Sequence, residues 1–172
     1  MSLRIALIAA SFLALSPAVA SAAEKWGMPH EKELALQGKV VDLLCELKKD
    51  CPANCGAGKR QLGLLTADGV LRAAAKGNID FAGPTVDLAP WCGKTIFTDG
   101  LLLENPAAQL YFVQAIREKE SDPWTPANAF QTRFDAQHGK TPEWYRKDAA
   151  AKQIIDADGV LGVPGLAPPP KK

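Results

Sequence analysis

The sequence predicts a mainly β fold: a small five-stranded Greek-key barrel followed by a partly helical C-terminal extension. Three observations carry this expectation. Five short runs of strand-forming residues lie between turn signals in residues 38–117. A stretch broken by Gly77, Gly83, Pro84 and Pro90 separates the third run from the fourth, where a Greek-key crossing belongs. Gly100 stands inside the fourth run, where a barrel strand must bend hard. The strand count alone suits a small sandwich as well.

The first 23 residues are set apart as a signal peptide. Arg4 precedes an apolar run from Ile5 to Leu15 that is interrupted only by Ser11. Pro17 ends that run, and Ala18-Val19-Ala20 and Ala20-Ser21-Ala22 place small residues where a signal peptidase reads them. The run is far shorter than the ~20 residues a membrane-spanning helix needs, so no stable membrane insertion is expected. No cysteine stands at the cleavage point, so a lipoprotein is not indicated. The expected compartment is the periplasm. Without Arg4 the chain carries 19 basic and 19 acidic residues, a balance that gives no electrostatic footprint for nucleic acid.

Residues 24–37 read as an N-terminal arm with Trp26, Met28 and His30. A short helix from His30 to Gln37 is expected there, with Pro29 at its start. Gly38 to Cys45 is the first strand, rich in aliphatic and β-branched residues. Cys51 to Gly58 is a loop, because Pro52, Asn54, Gly56 and Gly58 break regular structure. Leu62 to Thr66 is the second strand. Ala67-Asp68-Gly69 is a tight turn, since Asp bonds its own backbone and Gly accepts positive φ. Val70 to Ala75 is the returning strand, although alanines are weak strand formers. Thr85 to Leu88 allows one helical turn. Thr95 to Glu104 is the fourth strand, Asn105-Pro106 a turn, and Gln109 to Ile116 the fifth strand.

Residues 118–172 form the extension. A charged linker, Glu118 to Asp122, leads to helical patterns over Asn128 to Gln137 and Pro142 to Asp156. Phe130 and Phe134 share one helix face. The Pro- and Gly-rich end, Gly162 to Lys172, is expected to be disordered.

Gly38 to Cys45, the Cys51 and Cys55 loop, Leu62 to Gly69 and the Gly93-Lys94-Thr95 to Ile116 hairpin resemble a small exported OB-fold-like domain of the bacterial OB-fold type. The resemblance covers about half the mature chain. It implies a barrel scaffold that many binding proteins reuse, and it says little about function. Cys92 and the long extension depart from the pattern. In such a barrel the first and fourth strands are neighbours, so Cys92 comes near the Cys45 to Cys55 loop.

Cys45, Cys51, Cys55 and Cys92 are an even set in an exported chain, which favours two disulfides. A metal–thiolate site and free reactive thiols are the alternatives, but the spacing matches no zinc ribbon, redox Cys-x-x-Cys or haem-attachment motif. Met28 and His30 are an alternative soft-metal pair, since thioether and imidazole both suit copper. His138 stands at a helix end as a capping residue. No Gly-x-Ser-x-Gly, His-Glu-x-x-His or phosphate loop is present, and Asp42, Asp68, Asp80, Asp87 and Asp99 each have a turn or surface explanation. Trp124, Phe130, Phe134, Trp144 and Tyr145 either pack back on the barrel or form a patch that docks a partner. The expected function is a non-catalytic periplasmic binding or accessory protein with a protein partner and no cofactor. It would support a larger exported or membrane enzyme complex. The alternative is a copper-binding protein or metallochaperone.

Overall fold

A computed structural model describes residues 23–159 apart from 77, 78, 80, 81, 107 and 142. Residues 1–22 of the expected signal peptide, Asp80 and the Gly162 to Lys172 tail therefore lie outside the described residues.

The barrel strands are β1 (Glu31–Asp42), β2 (Leu62–Leu65), β3 (Leu71–Ala75), β4 (Thr95–Asn105) and β5 (Ala108–Arg117). They are ordered β3-β2-β1-β4-β5, and β3 closes on β5 through Ala74 opposite Tyr111 and Ala75 opposite Phe112. A two-residue strand, β6 (Thr125–Pro126), adds to β5. The result is the expected OB-like barrel with a partly helical extension, and the barrel is closed. The sheet is mixed rather than wholly antiparallel, because the closing pair is parallel. A closed ring with an odd number of strands cannot alternate direction all the way round, so one parallel pair is unavoidable.

The start of β1 corrects the sequence reading. Residues 31–37 are strand, not helix, and the barrel begins seven residues earlier than expected. Glu, Lys, Leu, Ala and Gln are good helix formers. Their local preference yields to the ladder with β4, which runs from Glu31 opposite Leu103 to Lys39 opposite Thr95. Leu34, Leu36 and Val40 fall on one face of that strand and join the core. β1 also ends earlier than expected. The Asp42 carboxylate accepts from the Leu44 and Cys45 amides at 2.8 and 3.3 Å, starting the single-turn helix α1 (Leu43–Lys48).

The other elements follow expectation closely. Asp68 and Gly69 turn β2 into β3, and Gly69 takes φ +82°. The pairing of β4 with β5 slips between Asp99 and Gly100, which is the predicted bend. A Cβ at Gly100 would lie 2.1 Å from the Phe112 carbonyl oxygen, so only glycine lets the two backbones approach there. Val40, Leu62, Leu64, Ile96, Leu102, Tyr111 and Val113 fill the barrel, and Leu88 joins them from the helical turn α2 (Thr85–Leu88). Fully burying each such aliphatic side chain contributes about 1.5–3 kcal/mol. Tyr111 donates its hydroxyl to the Leu34 carbonyl at 2.8 Å, and burial pushes its phenol above the ordinary tyrosine range, so it stays protonated.

In the extension, α3 (Ala129–His138) and α4 (Ala149–Asp158) flank a short turn, Trp144–Arg146. The second predicted helix thus begins later than Pro142. Asp148 caps α4 by accepting from the Ala151 amide at 2.7 Å.

The Gly100 contact gives a paired test. Gly100→Ala is expected to lower unfolding stability by ~1–3 kcal/mol through overpacking. Gly83→Ala, at a position with open space around the added carbon, is expected to stay within about 0.5 kcal/mol. Equal denaturant midpoints for the two variants would contradict the bend as described.

Candidate functional site

The four cysteines form two disulfides, Cys45–Cys51 and Cys55–Cys92. The second joins the β1–β2 loop to the residues just before β4, as the neighbouring positions of the first and fourth strands suggest. Backbone bonds reinforce it: Val40 donates to Lys94, and Gly93 donates to Val40, both at 2.9 Å. Asn54, Cys55, Gly56 and Ala57 all have left-handed φ between 48° and 73°. Such a conformation costs roughly 1–2 kcal/mol per non-glycine residue, and a disulfide contributes about 2–4 kcal/mol toward holding it. Arg60 packs against Gly56, donates to Asp50 at 2.8 Å and lies 3.9 Å from Asp42.

With all four sulfurs bonded in pairs, none is a thiolate ligand. Among the described residues no group of three or more His, Cys, Asp and Glu side chains is arranged for a metal ion. Met28 is half-buried and His30 is exposed with φ 65°. The turn that carries them is fixed by Glu31, whose carboxylate accepts from the Trp26, Gly27 and Met28 amides. Desolvation opposes the charge on Glu31, but the three amide bonds and the nearby Lys25 together hold its acid below the usual carboxylate range. Trp26 lays its ring edge-on to Phe112, 5.2 Å between centroids.

The five aromatic residues of the extension divide into two places. Phe130, Phe134, Trp144 and Tyr145 touch one another, with Phe130 and Trp144 centroids 4.5 Å apart and Phe134 and Trp144 centroids 5.5 Å apart. Phe134 is buried and the other three are half-buried. His138 ends α3 as expected, its ring 4.4 Å from that of Phe134. Trp124 stands elsewhere, stacked under the Arg117 guanidinium at 4.1 Å.

Two of the scattered carboxylates take roles that neither a turn nor a surface explains. Asp99 is buried, and its Oδ2 accepts the Ala23 amide at 3.2 Å. Asp87 is buried with Lys76, whose side chain is 0% exposed, and their charged atoms are 2.7 Å apart. The other oxygen of Asp87 accepts the Ala129 amide at 2.8 Å. Asn128 precedes α3 but makes no side-chain cap bond, so a carboxylate from a different element caps the helix. One side chain thereby ties Lys76, the residue after β3, to α2 and α3. No local pattern marks this pair, because its partners are 11 and 42 residues apart.

This tie creates a groove of about 490 Å³ between the β3–β4 crossing and the chain that follows β5. Val86, Trp91, Ile116, Pro126 and Ala127 supply apolar wall, and Arg117 supplies a charge. Asp87, Glu118 and Asp122 line it as well. No sequence motif marks Trp91 or Arg117, and Asp87 reads there as a turn or surface carboxylate; their convergence in space marks all three. Comparison with protein-family models, curated proteins and solved structures gives no match.

Removing the carboxylate tests the tie. Asp87→Ala leaves Lys76 buried without a counter-charge and is expected to cost ~3–5 kcal/mol. The double change Lys76→Met with Asp87→Leu should recover most of that loss, since a buried pair replaced by apolar residues is often near neutral. An Asp87→Ala variant within about 0.5 kcal/mol of the parent, the range of ordinary surface changes, would contradict this account.

Proposed function

We propose that the chain is a non-catalytic periplasmic binding or accessory protein that supports a larger exported or membrane enzyme complex. The observation that carries this reading is the groove: a concave, largely apolar site of ligand size, with a few charged groups set around it. Its walls come from elements fixed by a buried ion pair, so it is preformed, and binding into it requires little ordering.

The compartment is supported by the signal-like N-terminus and by two disulfides, which persist in oxidising surroundings. No described helix is long and apolar enough to cross a membrane. The balanced charge supports a partner other than nucleic acid. Trp124, Phe130, Trp144 and Tyr145 keep part of their surface in solvent, and such aromatic residues are favoured anchors at protein interfaces. The copper-carrier alternative loses its four sulfur ligands to disulfides and keeps only Met28 and His30.

Tagged mature protein with its disulfides intact, used as bait on a periplasmic extract, tests the reading. A stoichiometric partner is expected, and Trp91→Ala should weaken its capture while the folded spectrum is retained. Absence of any partner, together with one copper ion bound per oxidised chain and lost in Met28→Ala and His30→Ala, would contradict it.

A further inference from the structure

We propose that the groove binds a carboxylate carried on an apolar body, with Arg117 as its anchor. This inference rests on the reading of the chain as a binding protein and names the chemistry of what it binds.

The charged groups of the groove differ in how far their partners satisfy them. Asp87 is neutralised by Lys76 and by the Ala129 amide. Asp122 spends a carboxylate oxygen on the Lys119 amide at 3.0 Å, and Glu118 is exposed to water. Arg117 differs. It is half-buried at the end of β5, 4.1 Å from the Trp124 ring centre and 5.5 Å from that of Phe97. Among the described residues it forms no ion pair, its buried Nε has no acceptor, and its one hydrogen bond is a long 3.5 Å contact to the Asp122 carbonyl. A buried donor without an acceptor is rare, and a missing ligand or ion is one of its ordinary explanations.

A carboxylate supplies what this guanidinium lacks. The planar fork of arginine matches the two oxygens of a carboxylate, and the aromatic rings hold the fork in place. Glu118 and Asp122 line the same groove and oppose an anion, but Glu118 is exposed to water and Asp122 accepts a backbone amide, whereas the buried Nε of Arg117 has no acceptor. Val86, Trp91, Ile116, Pro126 and Ala127 then receive the apolar body. The volume of about 490 Å³ fits a compact ligand or the last residues of a polypeptide. Both sources present the same chemistry: a free aryl or branched alkyl acid, or an apolar C-terminal residue with its free carboxylate.

The test uses the mature, disulfide-intact protein labelled with nitrogen-15. The probes are 4-phenylbutyrate, its primary amide, 4-phenylbutylamine, and the peptide acetyl-Gly-Gly-Phe with a free or an amidated C-terminus. Saturable shifts at the Trp91 indole and the Ile116 amide are expected with a carboxylate, and binding at least ~10-fold weaker with the matching amide. Arg117→Gln should lose about tenfold or more in affinity, with Arg117→Lys between the two because it keeps the charge and loses the fork. Arg117→Lys also carries the test if Arg117→Gln fails to fold. Binding of the free acid alone, or of the peptide acid alone, supports the proposal and assigns the source. Amide or amine binding as tight as acid binding overturns the carboxylate proposal while leaving the groove as a binding site. No shift at groove residues with any probe at millimolar concentration also overturns it, and capture of a periplasmic partner then stands as the separate check on the binding-protein reading.

Discussion

The contact between Lys76 and Asp87 governs how this molecule is assembled. Burying two opposite charges is expensive, and the cost is offset only where geometry and further hydrogen bonds satisfy both groups. Here the carboxylate meets an ammonium group on one oxygen and a helix N-terminal amide on the other. The helix end carries partial positive charge, so Asp87 faces positive potential on two sides. The consequences extend beyond the pair. α2 is held so that Leu88 enters the core, and α3 starts where the Ala129 amide can reach α2. The groove is the space left between the parts so joined.

The barrel provides a rigid frame for this assembly. Its closure between β3 and β5 is a necessity of joining five strands, and the bend at Gly100 lets β4 follow the curve. The disulfide Cys55–Cys92 fastens the β1–β2 loop to the entry of β4, on the same crossing that carries α2 and Trp91. That crossing is thus fixed at three places: a disulfide at one end, an ion pair within it, and a leucine in the core.

The parts legible in the sequence are those decided by neighbouring residues. Asp68-Gly69 and Asn105-Pro106 announce their turns, and the aliphatic runs of β2, β4 and β5 read as strands because their composition and their burial agree. The first half of β1 reads wrongly because Glu31 to Gln37 prefers a helix locally and is a strand only through its partner β4. The disulfide chemistry is legible from the even cysteine count and the signal-like N-terminus, but the pairing requires the fold. Asp87 looked like an ordinary helix-turn carboxylate between Val86 and Leu88, because its two partners are remote in sequence. Arg117 and Trp91 carry no motif; their meaning lies in the rings and empty space around them. The extension aromatics were legible as important and not as divided, since Trp124 takes Arg117 and the other four take one another.

The assembly therefore depends on one hydrogen bond between distant elements, from the Ala129 amide to Asp87. The first amides of a helix have no partner within it and ordinarily exchange with solvent freely. Native-state hydrogen exchange of the Ala129 amide measures that bond directly. Slow exchange, with an opening free energy approaching that of barrel amides such as Leu102, is the result the account predicts. Exchange as fast as at a frayed helix end would contradict it, and with it the fixed groove on which the functional reading depends.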